Sequence, residues 1–252
     1  MELASWLRQG NWTPAQRTSH AQDIYDRVLA GSAVMRRGNF ESIGTRDLER
    51  LWRLYDEITF ECRLSRALGD RPLTFRLSRR LTSAAGQTTR RVHRRSGVES
   101  RCEYEISIST TLLFQTFVED HRIITVSGVP CHDRLQALQR VFEHELTHLA
   151  EMIAWSDSHC AARRFQSIAG RLFGHREHTH QLITPRERAW NQLGLKVGDR
   201  VRFRCDGREY VGRLNRITRR ATVLVEDHQG PRYSDGKHYA KFYVPLQLLM
   251  KQ

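Results

Sequence analysis

The sequence predicts an α+β chain in two parts, a helix-and-sheet portion followed by a small all-β barrel. Three observations lead there. Apolar residues recur at helical spacing in long stretches of the first three-quarters, short runs of strict alternation lie between them, and beyond Leu195 the period changes to two and stays there. The chain has 252 residues, 39% hydrophobic and 27% charged, which is near the globular norm and long enough for two cores.

Residues 1–44 mix short helical patterns with Gly31, Gly38 and Gly44 and read as a helical or partly ordered arm. From Thr45 to Leu68, Leu48, Leu51, Trp52, Tyr55, Ile58 and Cys62 mark one long amphipathic helix, with Asp47 and Glu49 near its start. Leu73, Phe75 and Leu77 alternate with polar residues, as do Tyr104, Ile106 and Ile108, so both runs read as strands of one antiparallel sheet. Arg90, Arg91, Arg94, Arg95 and Gly97 form a basic connection between them. From Asp133 the pattern is helical again, with Leu135, Leu138, Phe142, Leu149, Met152 and Ile153 as its buried stripe. A further helix near His159 to Phe173 buries Phe165, Ile168, Ala169 and Leu172. These elements place a helix-and-sheet domain over residues 45–190.

The last part, 196–252, carries four or five short strands. Val201, Phe203, Val223, Val225, Phe242 and Val244 are expected inward, and Arg200, Arg202, Arg204 and Lys241 outward, around a turn at Asp206 and Gly207. So many short strands in so little chain suggest a small SH3-like barrel.

Composition narrows the setting. No apolar run reaches the length of a bilayer span, and the first residues lack the charged flank and apolar stretch of a secretory signal. The five cysteines, Cys62, Cys102, Cys131, Cys160 and Cys205, are odd in number and form no CxxC pair, which points to a reducing cytoplasm and away from a zinc ribbon. A net charge of +13, carried almost wholly by arginine, favours contact with a polyanion such as DNA or RNA. Eight arginines lie between Arg76 and Arg101 against the single acid Glu99, and nine basic residues lie between Lys196 and Arg220 against Asp199, Asp206 and Glu209. The first run is either a solvated strand edge and loop or a polyanion-facing surface, and the second belongs to a barrel that either recruits the chain to nucleic acid or a nucleic-acid-bound protein or packs on the preceding domain.

The run His144-Glu145-Leu146-Thr147-His148 is an HExxH motif inside the second amphipathic pattern. Side chains four apart share a helical face, so both imidazoles can meet one ion while Glu145 serves as general base toward an activated water. Catalytic zinc takes three protein ligands and keeps one position open. His159, which follows His148 after ten intervening residues, is the expected third ligand, folded back by a turn at Ser156 and Asp157. Asp157 is its rival, with capping of the following helix as its ordinary role. Glu151, near the face of His148, would orient a ligand or simply be an exposed helix carboxylate. His175, His178 and His180 around Glu177 read as solvated loop residues more readily than as a second metal site. His93, His121 and His132 have no evident partner.

With the helix carrying HELTH, the segment Ser158-His159-Cys160-Ala161-Ala162 leading to Phe165, the pattern Leu54-Tyr55-Asp56 with Phe60, and the small-residue run Ala84-Ala85-Gly86, the chain resembles the SprT-like zinc metallopeptidases. That family includes Spartan-type proteases that act on proteins crosslinked to DNA. The resemblance spans roughly residues 45–180. It implies a zincin-like helix beside a small sheet, Zn2+ on His144, His148 and His159, and peptide-bond hydrolysis with Glu145 as base. Cys160 stands where the family often has Gly, Phe165 comes later after His159 than the pattern asks, and the barrel takes the place of a C-terminal zinc ribbon. Tyr104 and nearby arginines are candidates for stabilising an oxyanion. The other reading is a nucleic-acid-associated binding protein whose metal site is structural or vestigial.

Overall fold

The computed structural model describes residues 2–95, 98–117 and 123–252. Gly97 of the basic connection and His121 lie outside them, as do the side chains of Arg95 and Glu99. The chain divides into two compact units, Met1–Leu182 and Ile183–Gln252.

The first unit opens with α1 (Leu3–Gln9) and α2 (Pro14–Gly31). Thr13 and Gln16 form a capping box, and Pro14 supplies the fixed φ that suits the first helical turn. Leu3, Trp6, Leu7, Ile24, Val28, Met35 and Phe40 are all buried in the main core. The described residues before Thr45 are helical in large part, as the pattern suggested, and they contribute to that core.

The long helix expected over Thr45–Leu68 is two helices, α3 (Thr45–Ile58) and α4 (Arg63–Leu68). Glu61 and Cys62 take positive φ between them, and Asp56 Oδ1 accepts from the backbone N–H groups of Leu64 (3.0 Å) and Ser65 (3.2 Å). A carboxylate that captures two amides at the head of α4 offers the backbone a better arrangement than helix continuation. Apolar periodicity does not register such a break.

Three strands follow, β1 (Leu73–Ser78), β2 (Gly86–Arg95) and β3 (Val98–Ser109), in the order β1-β3-β2. Against expectation, β1 pairs with β3 in parallel, with Leu73 opposite Tyr104, while β2 and β3 form the antiparallel pair. Alternation reports which face is buried, not which way a neighbour runs. Here β3 inserts between β1 and β2, so β2 is left as an edge strand. The short α5 (Thr110–Gln115), β4 (Ile124–Val126) and β5 (Val129–Cys131) lead to α6 (Arg134–Trp155) and then α7 (Arg163–Phe173).

The sequence fits α6 well. Asp133 caps it by accepting from Gln136 N at 2.8 Å, and Ser156 ends it in the left-handed conformation. Leu138, Phe142, Leu146 and Leu149 are fully buried, each contributing about 1.5–3 kcal/mol of burial. Phe142 packs on Phe75 of β1 and Tyr55 of α3, fixing α6 between sheet and helices.

The second unit comprises α8 (Pro185–Leu193), β6 (Arg200–Cys205), β7 (Arg208–Ile217), β8 (Ala221–Glu226), β9 (Tyr239–Val244) and β10 (Met250–Lys251). Val201, Phe203, Val223 and Val244 are buried as expected, Val225 and Phe242 pack partly buried against them, and Arg200, Arg204 and Lys241 are exposed. The strands form an antiparallel sheet in the order β10-β6-β7-β8-β9. The expected barrel is not closed, because the outer strands β9 and β10 do not pair with each other. With only two residues, β10 is too short to complete a ladder.

Candidate metal centre

Helix α6 places His144 and His148 on one face, and their Nε2 atoms stand 3.2 Å apart. Cys160, in the turn before α7, completes a group whose ligand atoms all lie within 4.8 Å of one another and which could hold a metal ion. Phe165 of α7 packs against both imidazoles, with ring centroids 4.8 Å from His144 and 4.5 Å from His148. Two nitrogens on tetrahedral arms of about 2.0–2.1 Å would stand roughly 3.4 Å apart, so the imidazole pair is already near the separation an ion needs. Two imidazoles and a thiol form a donor set of borderline softness.

Both histidines are held neutral. Burial, reinforced by His148 and then by His175, His178 and His180, lowers the His144 pKa to about 3, and burial with nearby His159 lowers that of His148 to about 4. Neutral imidazoles keep a lone pair for a ligand across the physiological range.

A chain of hydrogen bonds aims His148. Its Nδ1 lies 2.7 Å from Ser158 Oγ, Ser158 donates to Glu151 Oε2, and Arg164 Nε donates to Glu151 Oε1 at 2.6 Å. Because the Ser158 proton is committed to Glu151, its oxygen accepts from His148 Nδ1–H and leaves Nε2 free to bind. Glu151 is fully buried and holds Ser158 against His148; it is not an exposed helix carboxylate.

Glu145 faces the sheet. It is buried, Thr88 Oγ1 of β2 donates to its Oε2 at 2.7 Å, and burial raises its pKa to about 7 against the opposing pull of the Thr88 hydrogen bonds. A Cβ on Gly86 would stand 2.6 Å from Glu145 Oε1, so β2 runs this close only because residue 86 has no side chain.

The remaining sequence candidates fall in other places. His159 is exposed and outside the 4.8 Å group, although adjacent to Cys160 in the chain. Asp157 is exposed, pairs with Arg164 Nη2 at 3.1 Å, and does not cap α7, which begins at Arg163 after Ala162. Tyr104 is buried with its hydroxyl accepting from Arg71 Nη1 at 3.2 Å, and no described contact links it to Glu145. His93 lies 3.5 Å from Glu103, giving it a partner that the sequence reading lacked.

The histidine cluster departs from the solvated loop expected of it. His175 is buried, with Nε2 2.8 Å from Glu143 Oε2, and His180 Nε2 lies 3.1 Å from the carbonyl of Ser83; only His178 is exposed. Glu143 also takes Tyr55 Oη at 2.8 Å and Arg140 Nη1 at 2.8 Å. Spacing gave no sign of this buried network. The one clue was a Glu on the apolar side of a helix, where an unpartnered carboxylate would be costly.

No protein-family profile, no curated protein and no solved structure matches the chain. Among the described residues no helix is long and apolar enough to cross a membrane.

Proposed function

We propose that the first unit is a zinc-dependent metallopeptidase of SprT-like type, acting on proteins, including those associated with nucleic acid. The observation that carries this reading is the placement of Glu145, a buried carboxylate next in sequence to a ligand-competent histidine and held against the edge strand β2 by Thr88. A purely structural ion site has no use for a proton acceptor there.

His144 and His148 would hold Zn2+, with the third donor from the turn before α7, where Cys160 is already in reach and His159 is the neighbouring imidazole. When bound, the ion would supply Lewis acidity, polarising a peptide carbonyl and acidifying water. The chain's own groups do the rest. Glu145 accepts the proton of the attacking water at Oε1, since Oε2 is engaged by Thr88, and passes it to the leaving amine. Its raised pKa suits both halves of that transfer. Among the described residues β2 has no ladder partner on its outer edge, and beyond the Thr88 amide, which Glu145 engages, that edge offers backbone groups that an extended peptide can join as an added strand, which would lay its carbonyls across Glu145. In the second unit Arg200, Arg204, Arg208 and Arg216 are exposed on the sheet and supply the cationic surface for nucleic acid.

The test is hydrolysis of casein and of a DNA-bound basic protein, with and without DNA and chelator. The wild type should cleave and lose activity to chelator, whereas Glu145→Gln should keep its metal and fall about 10²–10⁴-fold. Undiminished cleavage by Glu145→Gln would remove the mechanism. Metal binding without cleavage of any substrate would favour a nucleic-acid-associated protein with a structural ion.

A further inference from the structure

We infer that a cavity between α2 and α6, outside the metal centre, binds a phosphate group. It has a volume of about 350 Å³ and is lined by Arg17, Tyr25, Gln139, Arg140, Phe173 and Arg176, among others, with no carboxylate in its wall. That size lies at the small end of ligand pockets.

Its charge is unbalanced. Arg140 is neutralised by Glu143, at 2.8 Å. Arg17 donates Nη1 to the carbonyls of Gly170 (2.8 Å) and Arg171 (3.4 Å), which fixes the guanidinium in place without cancelling its charge. Arg176 is exposed, and among the described residues its side chain has no partner. The acids touching other lining residues are spent locally: Asp133 accepts from Tyr25 and caps α6, and Asp26 accepts from Gln22. Among the described residues, two guanidinium charges thus remain without a counter-ion.

A carboxylate would satisfy one of them. A phosphate monoester, which is nearly doubly charged at neutral pH and has three acceptor oxygens, matches both, and guanidinium groups bind such oxygens in pairs. Arg17, tied to the end of α7, is preorganised, while Arg176 is free to close on the ligand. The phosphate can be free, part of a mononucleotide, or the terminus of a nucleic-acid strand.

Calorimetric titration of metal-stripped full-length protein at fixed ionic strength tests this, with inorganic phosphate, AMP, and 5′-phosphorylated and 5′-hydroxyl tetrathymidylate as probes. Stripping the metal keeps the result independent of the ion. Phosphate should bind, and Arg176→Gln, which removes no side-chain hydrogen bond or ion pair among the described residues, should weaken it by at least about tenfold. Arg17→Gln should do the same if it folds, and Arg66→Gln, exposed on α4 and outside the cavity wall, should leave binding unchanged. The tightest probe then identifies the source: AMP over phosphate means a nucleotide, and preference for the 5′-phosphorylated strand means a nucleic-acid end. No binding at millimolar phosphate, or equal affinity in wild type and Arg176→Gln, would overturn the assignment.

Discussion

Both units have apolar cores, but they differ in the polar groups they bury with them. Inside the first, Asp47, Asp56, Arg134, Glu143, Glu145, Glu151 and His175 are all buried, and each of Glu143, Glu145 and Glu151 lies within one turn of a histidine of the HExxH pair. In the second, the core is aliphatic and aromatic, and Thr222 is the only buried polar residue among those described. Buried charge costs stability unless it is paired, so a region that retains several such groups is organised around something other than packing. The sheet of the second unit keeps its charge outside, where it costs little and can meet an anion.

The contrast is sharpest at the ligands. Replacing Cys160 by Ala should lower bound zinc far more than replacing His159 by Ala, because Cys160 sits within the ligand group and His159 is exposed. Elemental analysis after dialysis reads the difference, and the opposite ranking would restore His159 as the third ligand. Next in size is Glu143→Ala, which strands Arg140 and His175 in the interior and should cost about 3–5 kcal/mol in urea unfolding. A loss under 1 kcal/mol would mean that the buried network is not what holds this region. Ser158→Ala should lower zinc affinity about 10–100-fold while changing stability little, since its hydroxyl acts by fixing His148. Competition with a chelator measures it, and unchanged affinity would show that His148 needs no such partner. The smallest effect is expected in the second unit. Arg204→Gln should alter stability by no more than about 0.5 kcal/mol, yet lower the salt slope of nucleic-acid binding by about one. An unaltered slope would leave this sheet as a packing module.

The sequence made α6 legible because three signals coincide there: the Asp133 cap, the apolar stripe, and the HExxH spacing. The strands of the second unit were equally plain, since one face is buried and the other charged. What stayed hidden depends on contacts between residues distant in the chain. The parallel pairing of β1 with β3, the grip of Asp56 on the head of α4, and the meeting of Glu143 with Tyr55 and His175 leave no periodic trace. Cys160 carries no ligand signature in the sequence because no second cysteine stands at metal-binding spacing from it, and the imidazoles it meets come from another helix. Helix α8 was missed because nine residues with an alternating neighbourhood carry too few apolar positions to define a stripe.

The serine between His148 and Glu151 also makes the protonation form of one candidate ligand depend on chain that lies beyond helix α6. His144 and His148 emerge from the ribosome before Ser158 and Arg164, so a nascent chain that ends within α6 has both imidazoles but nothing to choose the protonation form of the second. Only after α7 docks, with Arg164 seated on Glu151 and above the Trp155 ring, does the relay fix the proton on Nδ1. A chain that ends within α6 therefore carries both imidazoles without the contact that leaves Nε2 of His148 free.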